Sequence, residues 1–222
     1  MRIWPLMFLS ASLLLTGCET VAKDKPRPVV TVEAPTKADL WKQVATVEDQ
    51  ARLARLTQAW TAGLADARVG GFRTEVKNEG ELLQPGAALN NPAPTPGSYS
   101  CRVVTLGKQR GKGPAFQKFK PFFCYVEAEG SLFTIVKQTG SKRPAGRLWE
   151  DDDGTNRMVF LGTVALGNEE EARAYGEDPK RNLTGVFERI GTFRWRLAIP
   201  YPQSGAKLEV FELTPVVDTP KV

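Results

Sequence analysis

LTGVFERIGTFRWRLAI, residues 183–199, decides the fold class. Its two halves, Leu183 to Ile190 and Phe193 to Ile199, are rich in β-branched and aromatic residues. Only the Gly191-Thr192 step separates them. Two such runs joined by a short glycine-bearing turn form an antiparallel hairpin. Side chains alternate along a strand, so Phe193, Trp195 and Leu197 share one face and Arg194 and Arg196 share the other. The plain reading is core on the first face and solvent on the second. A sharper reading lines a ligand cavity with Trp195 and Trp149.

The same alternation extends outward from this hairpin. Runs at about Tyr99 to Leu106, Phe119 to Ala128, Leu132 to Thr139, Gly146 to Trp149, Met158 to Leu166 and Leu208 to Leu213 read as strands. Glu129-Gly130 supplies another tight turn. About eight strands with short connections fit a meander curled into a barrel, because closure removes exposed edges. Upstream, the period changes. Thr46 is placed as an N-cap, with Asp49 three residues on as an approximate capping-box partner. Leu53, Leu56, Trp60, Leu64 and Ala67 recur at helical spacing until Gly70-Gly71. A proline-rich loop, QPGAALNNPAPTPG at 84–97, separates helix from strands. The expected fold is therefore α+β and mostly β. About eight antiparallel strands form a barrel-like or strongly bent sheet, with one N-terminal amphipathic helix at about 47–69 packed on it.

The first residues carry Arg2, then an apolar run from Ile3 to Leu15, then Leu15-Thr16-Gly17-Cys18. This is a secretory signal layout, and the run falls short of the roughly 20 apolar residues of a spanning helix. The last four residues resemble the lipobox of bacterial lipoproteins, which implies cleavage before Cys18 and lipid on its thiol. Residues 1–17 are then a leader. Residues 18–37, with Pro26, Pro28 and Pro35, form a tether; 38–215 form one globular domain, and 216–222 a tail. Glu19 follows the cysteine, and the expected address is the outer membrane facing the periplasm.

The chain has no histidine. That removes imidazole as general base, nucleophile partner and metal ligand, and with it Ser-His-Asp, Cys-His and His-zinc chemistry. No catalytic residue, metal ligand or cofactor is assigned. The 30 Lys and Arg against 25 Asp and Glu are interspersed. No concentrated basic face of the nucleic-acid-binding kind emerges.

Cys101 and Cys124 both sit in apolar strand-like runs, SYSCRVV and PFFCYVE. In an oxidising compartment they read as a disulfide stabilising the fold by roughly 3 kcal/mol. The segment GKQRGKGPAFQKFK at 107–120 carries Lys108, Arg110, Lys112, Lys118 and Lys120 with no acid. It reads either as a solvated loop or as a contact for an anionic lipid, glycan or protein. Phe116 and Phe119, interleaved with the lysines, also suit a membrane interface. The acids Glu150, Asp151, Asp152 and Asp153 precede Gly154, but a calcium loop's bidentate glutamate would fall at Phe160. A D-G turn explains the run without metal. Lys142, Arg143 and Arg147 are placed to pair with these acids or with a ligand carboxylate. Arg143, Arg147, Trp149, Trp195 and Tyr201 are the candidate ligand or partner contacts.

The runs TGSKRPAGRLW (139–149), RMVFLGTVALG (157–167) and RIGTFRWRLAIPYP (189–202) together resemble an uncharacterised bacterial family, domain of unknown function 4893. LWKQVATVEDQARL (40–53) and GSYSCRV (97–103) fit it too. The resemblance spans nearly all of the domain and brings no activity or site residues. The expected role is a lipid-anchored periplasmic binding or envelope-interaction module, not an enzyme. Two alternatives stand beside it. One is an inhibitor of lysozyme or other hydrolases, by likeness of architecture to small disulfide-bearing β-barrel lipoproteins. The other is a hydrolase using carboxylates drawn from Glu150 to Asp153.

Overall fold

The computed structural model describes residues 41–151 and 155–216. The readings of the leader, Cys18, the tether, Asp152 to Gly154 and the end of the tail lie outside these residues. Nine strands follow in order: β1 (Gly97–Leu106), β2 (Phe116–Lys118), β3 (Phe122–Glu129), β4 (Leu132–Lys137), β5 (Lys142–Glu150), β6 (Arg157–Leu166), β7 (Asn182–Gly191), β8 (Arg194–Pro200) and β9 (Leu208–Pro215). From β3 onward each pairs antiparallel with the next. β9 returns to β1, from Tyr99 opposite Pro215 to Leu106 opposite Leu208, and so closes an eight-stranded barrel. β2 is an extra strand on the second half of β1.

One strand was expected over 119–128; the structure begins it at Phe122, after Lys120-Pro121, and places a separate short strand, β2, just before that step. Proline has no N–H to give the ladder. β2 pairs Lys118 with Val104, whereas β3 pairs Phe122 with Cys101, so the register slips by one residue in a bulge. Strand β5 also begins at Lys142, four residues before the expected start.

Every second residue points into the barrel. Tyr99, Cys101, Ile135, Leu148, Phe160, Phe187, Trp195, Leu197 and Phe211 fill it as one cluster. Gly146 and Gly162 face each other across β5 and β6. A side chain at Gly162 would lie 2.6 Å from the Phe160 ring, so the glycines make room for the ring that plugs the barrel. The cysteines form the expected disulfide, Cα to Cα 5.9 Å, between β1 and β3.

Helices coat the outer wall: α1 (Trp41–Val44), α2 (Val47–Ala54), α3 (Leu56–Val69) and α4 (Arg73–Asn78), then a 3-10 turn, Gly80–Leu83. The single helix expected over 47–69 is broken at Arg55, whose φ of −97° and ψ of 13° leave the helical region. The break lets one apolar stripe serve two patches of a curved wall. Leu53 packs with Trp149 and Leu161, while Leu56, Trp60 and Leu64 pack with Leu106, Leu208 and Val210. Thr46 caps α2 by accepting the Asp49 N–H at 3.2 Å. The Asp49 carboxylate does not close a capping box. Fully buried, it accepts from Arg52, from the Tyr175 hydroxyl and from Asn182, tying α2 to the β6–β7 connection.

This coat corrects the reading of the decisive hairpin. Gly191 pairs with Arg194, so Phe193 falls in the turn and is 66% exposed instead of joining the core. Trp195 and Leu197 do face inward. The opposite face is no solvent surface, for Arg196 is 1% exposed beneath the helices.

Candidate functional site at the mouth of the barrel

Alternation fixes what each inward position carries, and at one end the pattern changes from apolar to charged. On β9, Leu213 and Phe211 lie in the core, and the next inward residue is Glu209. On β4, Phe133 and Ile135 are followed inward by Lys137. On β5, two residues before Pro144 stands Lys142. Glu209 and Lys142 line a cavity of about 840 Å³ that opens at this end, while Lys137 borders a small void beneath it. Val164 and Leu183 make the cavity's floor, and Arg110, Lys112, Lys180 and Arg181 stand at its rim. Below the floor the inward cluster fills the barrel, with a void of about 10 Å³ against Cys124, Phe160 and Phe211. A ligand would therefore sit in the mouth, not along the axis.

The rim loops are held in place. The β1–β2 connection turns tightly, with Lys112 N–H donating to the Gln109 carbonyl at 2.9 Å and Arg110 at a φ of 48°. The β8–β9 connection lies directly on it. Gly205 has a φ of 81°, and a Cβ there would come within 2.8 Å of the Arg110 backbone nitrogen. Arg181 bonds Glu169 at 2.7 Å and Asp178 at 3.3 Å, which keeps it at the end of β7.

Around the cavity five cationic side chains, Arg110, Lys112, Lys142, Lys180 and Arg181, face one carboxylate, Glu209. Burial pushes the Glu209 carboxyl above the usual carboxylate range. A hydrogen bond from Ser204 and the charges of Lys142 and Lys137 act against that rise. Burial also lowers the Lys137 ammonium, helped by Arg143 and opposed by Glu209. Lys137 lies over the Phe122 ring, 4.1 Å from its centroid. Arg181 is already paired with Glu169 and Asp178, but Arg110, Lys112, Lys142 and Lys180 against Glu209 still leave a balance that favours an anion, because Coulomb terms strengthen where water is partly excluded.

Of the expected anion contacts, Arg110 and Lys112 line the cavity. Lys118 pairs with Glu79 at 3.3 Å on the outer wall, and Lys108 and Lys120 are exposed away from it. Phe116 is buried and stacked on Phe72, while Phe119 is 40% exposed. The five expected ligand contacts do not converge. Arg143 is buried on the outer face and donates to the carbonyls of Gly140, Gly167 and Glu169. Arg147 pairs with Glu129 at 3.4 Å. Trp149 packs on the outer wall with Ala45, whereas Trp195 is inside, donating to the Pro92 carbonyl at 3.0 Å. The two tryptophans thus lie on opposite sides of the wall and share no cavity. Tyr201 carries the Arg55 guanidinium over its ring, 4.7 Å away.

Glu150 is exposed, and Asp151 is buried and bonded to Arg157 at 2.6 Å. Among the described residues, no three His, Cys, Asp or Glu side chains gather as a metal site. Sequence reasoning missed Lys180, Arg181 and Glu209 as site residues, and Lys137 beneath them. A charge on the inward position of an otherwise apolar alternation was the available signal for Lys137 and Glu209.

A family model described as Domain of unknown function (DUF4893) matches residues 41–213. No curated protein and no solved structure matches the chain.

Proposed function

The chain belongs to the family described as Domain of unknown function (DUF4893), and on that premise we propose that it is a lipid-anchored binding module of the cell envelope whose barrel mouth holds an organic anion. The observation that carries the reading is the set of five cations around one carboxylate in an open cavity of about 840 Å³, above a filled barrel. That volume falls within the range of small-molecule sites, and the apolar floor with a few charged groups above it is their usual make-up. The absence of histidine and the pairing of Asp151 with Arg157 speak for binding over hydrolysis. Lipid on Cys18, following the apolar leader, would fix the module to the outer membrane facing the periplasm, with 18–37 as its tether.

Titration calorimetry of glucose 1-phosphate into the purified full-length chain tests the site. Binding should weaken about tenfold or more in the K142E/R181E double variant, and should fall with added salt. Binding that neither salt nor charge reversal changes would contradict the proposal.

A further inference from the structure

We propose that Glu209 makes the mouth selective for organic anions that also carry a hydroxyl or ammonium donor, sugar phosphates and sugar acids being the simplest class. This inference rests on the mouth being an anion site and narrows what it takes.

A receptor for bare anions loses affinity by placing a carboxylate among its cations, since like charges repel inside a half-enclosed space. Yet Glu209 stands on the inner face of β9, opposite Thr105 on one side and Ile199 on the other, and lines the cavity with the cations. It is no accident of a mobile loop, because the ladder on both sides fixes where its side chain starts. The groups that face it are Ser204, Lys142 and Lys137. A carboxylate offers about four lone-pair sites, and the Ser204 hydrogen bond occupies one. Glu209 itself lines the cavity, where a ligand's donor can reach it.

A ligand that satisfies this arrangement needs two ends. Its anionic group answers Arg110, Lys112, Lys142, Lys180 and Arg181. Its donor answers Glu209, and an apolar face between them lies against Val164 and Leu183. A hydroxylated ring bearing a phosphate or carboxylate has all three features. A bare or purely apolar anion takes water from Glu209 and gives it no donor in return, which is the penalty that polar sites use to reject isosteres.

The test is calorimetry on the full-length chain with two phosphates of similar size, glucose 1-phosphate and cyclohexyl phosphate. The native chain should prefer the hydroxylated ring by about tenfold, the worth of one hydrogen bond to a charged acceptor. In Glu209→Leu the preference should collapse to about twofold or less, with cyclohexyl phosphate binding more tightly than to the native chain. Glu209→Gln keeps an acceptor oxygen and should keep part of the preference. A native circular-dichroism spectrum and a single cooperative melting transition show that both variants fold. A native preference near unity, or one that survives in Glu209→Leu, overturns the inference while leaving the anion reading intact. Failure of both phosphates to bind overturns the anion reading itself and this inference with it. Dihexanoyl phosphatidylglycerol, run in the same way, assigns the source of the chemistry. Binding tighter than glucose 1-phosphate and weakened in Glu209→Leu places the donor on a lipid headgroup, and weaker binding places it on a free sugar derivative; either supports the selectivity.

Discussion

Arg196 sits where alternation points a side chain out of the barrel, yet it is the largest fully buried side chain. Its guanidinium bonds Glu188 at 2.6 Å and donates to the carbonyls of Glu81, Leu82 and Gln84 at the end of the 3-10 turn. It also lies over Trp60, 4.9 Å from the ring centroid. One residue thus joins barrel and coat. Arg196→Met leaves Glu188 without its partner and is expected to cost about 3 kcal/mol, read as a lower denaturation midpoint at unchanged slope. An unchanged midpoint would show that the coat holds without it. Glu209 supplies a second prediction. Burial raises its carboxyl in the folded state, so the folded chain holds that proton more tightly than the unfolded chain does. Its stabilising contribution is full below the unfolded value and is lost as pH rises through the folded one. Glu209→Gln should therefore melt progressively higher than the native chain as pH climbs from about 4 to about 8. Equal melting curves at both ends would refute this. At this scale the sequence was least legible. The inward or outward direction of Arg196 followed from alternation, but what covers it did not, because burial of a charge depends on carbonyls more than a hundred residues away in the chain.

At the scale of elements the strands were read well, because period-two alternation and short glycine turns are local signals. The turn at Glu129-Gly130 and the Cys101 to Cys124 pairing stand as expected, and so does the hairpin at 183–199 apart from Phe193, which belongs to its turn. The helix break at Arg55 carried no local mark, since no glycine or proline occurs there, and it separates the stripe that packs on Trp149 and Leu161 from the one that packs on Leu106 and Leu208. The split at Lys120-Pro121 was marked by its proline and was read through. Packing at β5 and β6 gives the element-scale prediction. Gly162 faces Gly146, with the Phe160 ring filling the space that a Cβ would take and the Ala145 carbonyl closer still. Both backbone and ring would have to shift. Gly162→Ala should thus lose about 1–3 kcal/mol, measured by chemical denaturation, and a gain in stability would show that the barrel centre is looser than described.

The whole molecule divides its labour between a plugged barrel, a helical coat along the outer wall and a charged mouth at one end. Closure was legible in the strand count and the short connections, and the structure realises it through the long pairing of β1 with β9. The mouth was legible only in part. The basic run 107–120 drew attention to Arg110 and Lys112, but their companions come from β5, β7 and β9 and meet only when the sheet closes. For the address, intact mass of the chain purified from its own membranes should lack residues 1–17 and carry acyl mass on Cys18, whereas an uncleaved amino terminus would rule the anchor out. The account as a whole turns on the mouth. Its most direct test is chemical-shift mapping of the isotope-labelled full-length chain titrated with glucose 1-phosphate. The account predicts saturable shifts gathered at residues 109–113, 142, 180–181 and 203–209, with Glu209 among the largest. Shifts scattered over the outer wall, or confined to the exposed lysines Lys108 and Lys120, would contradict it.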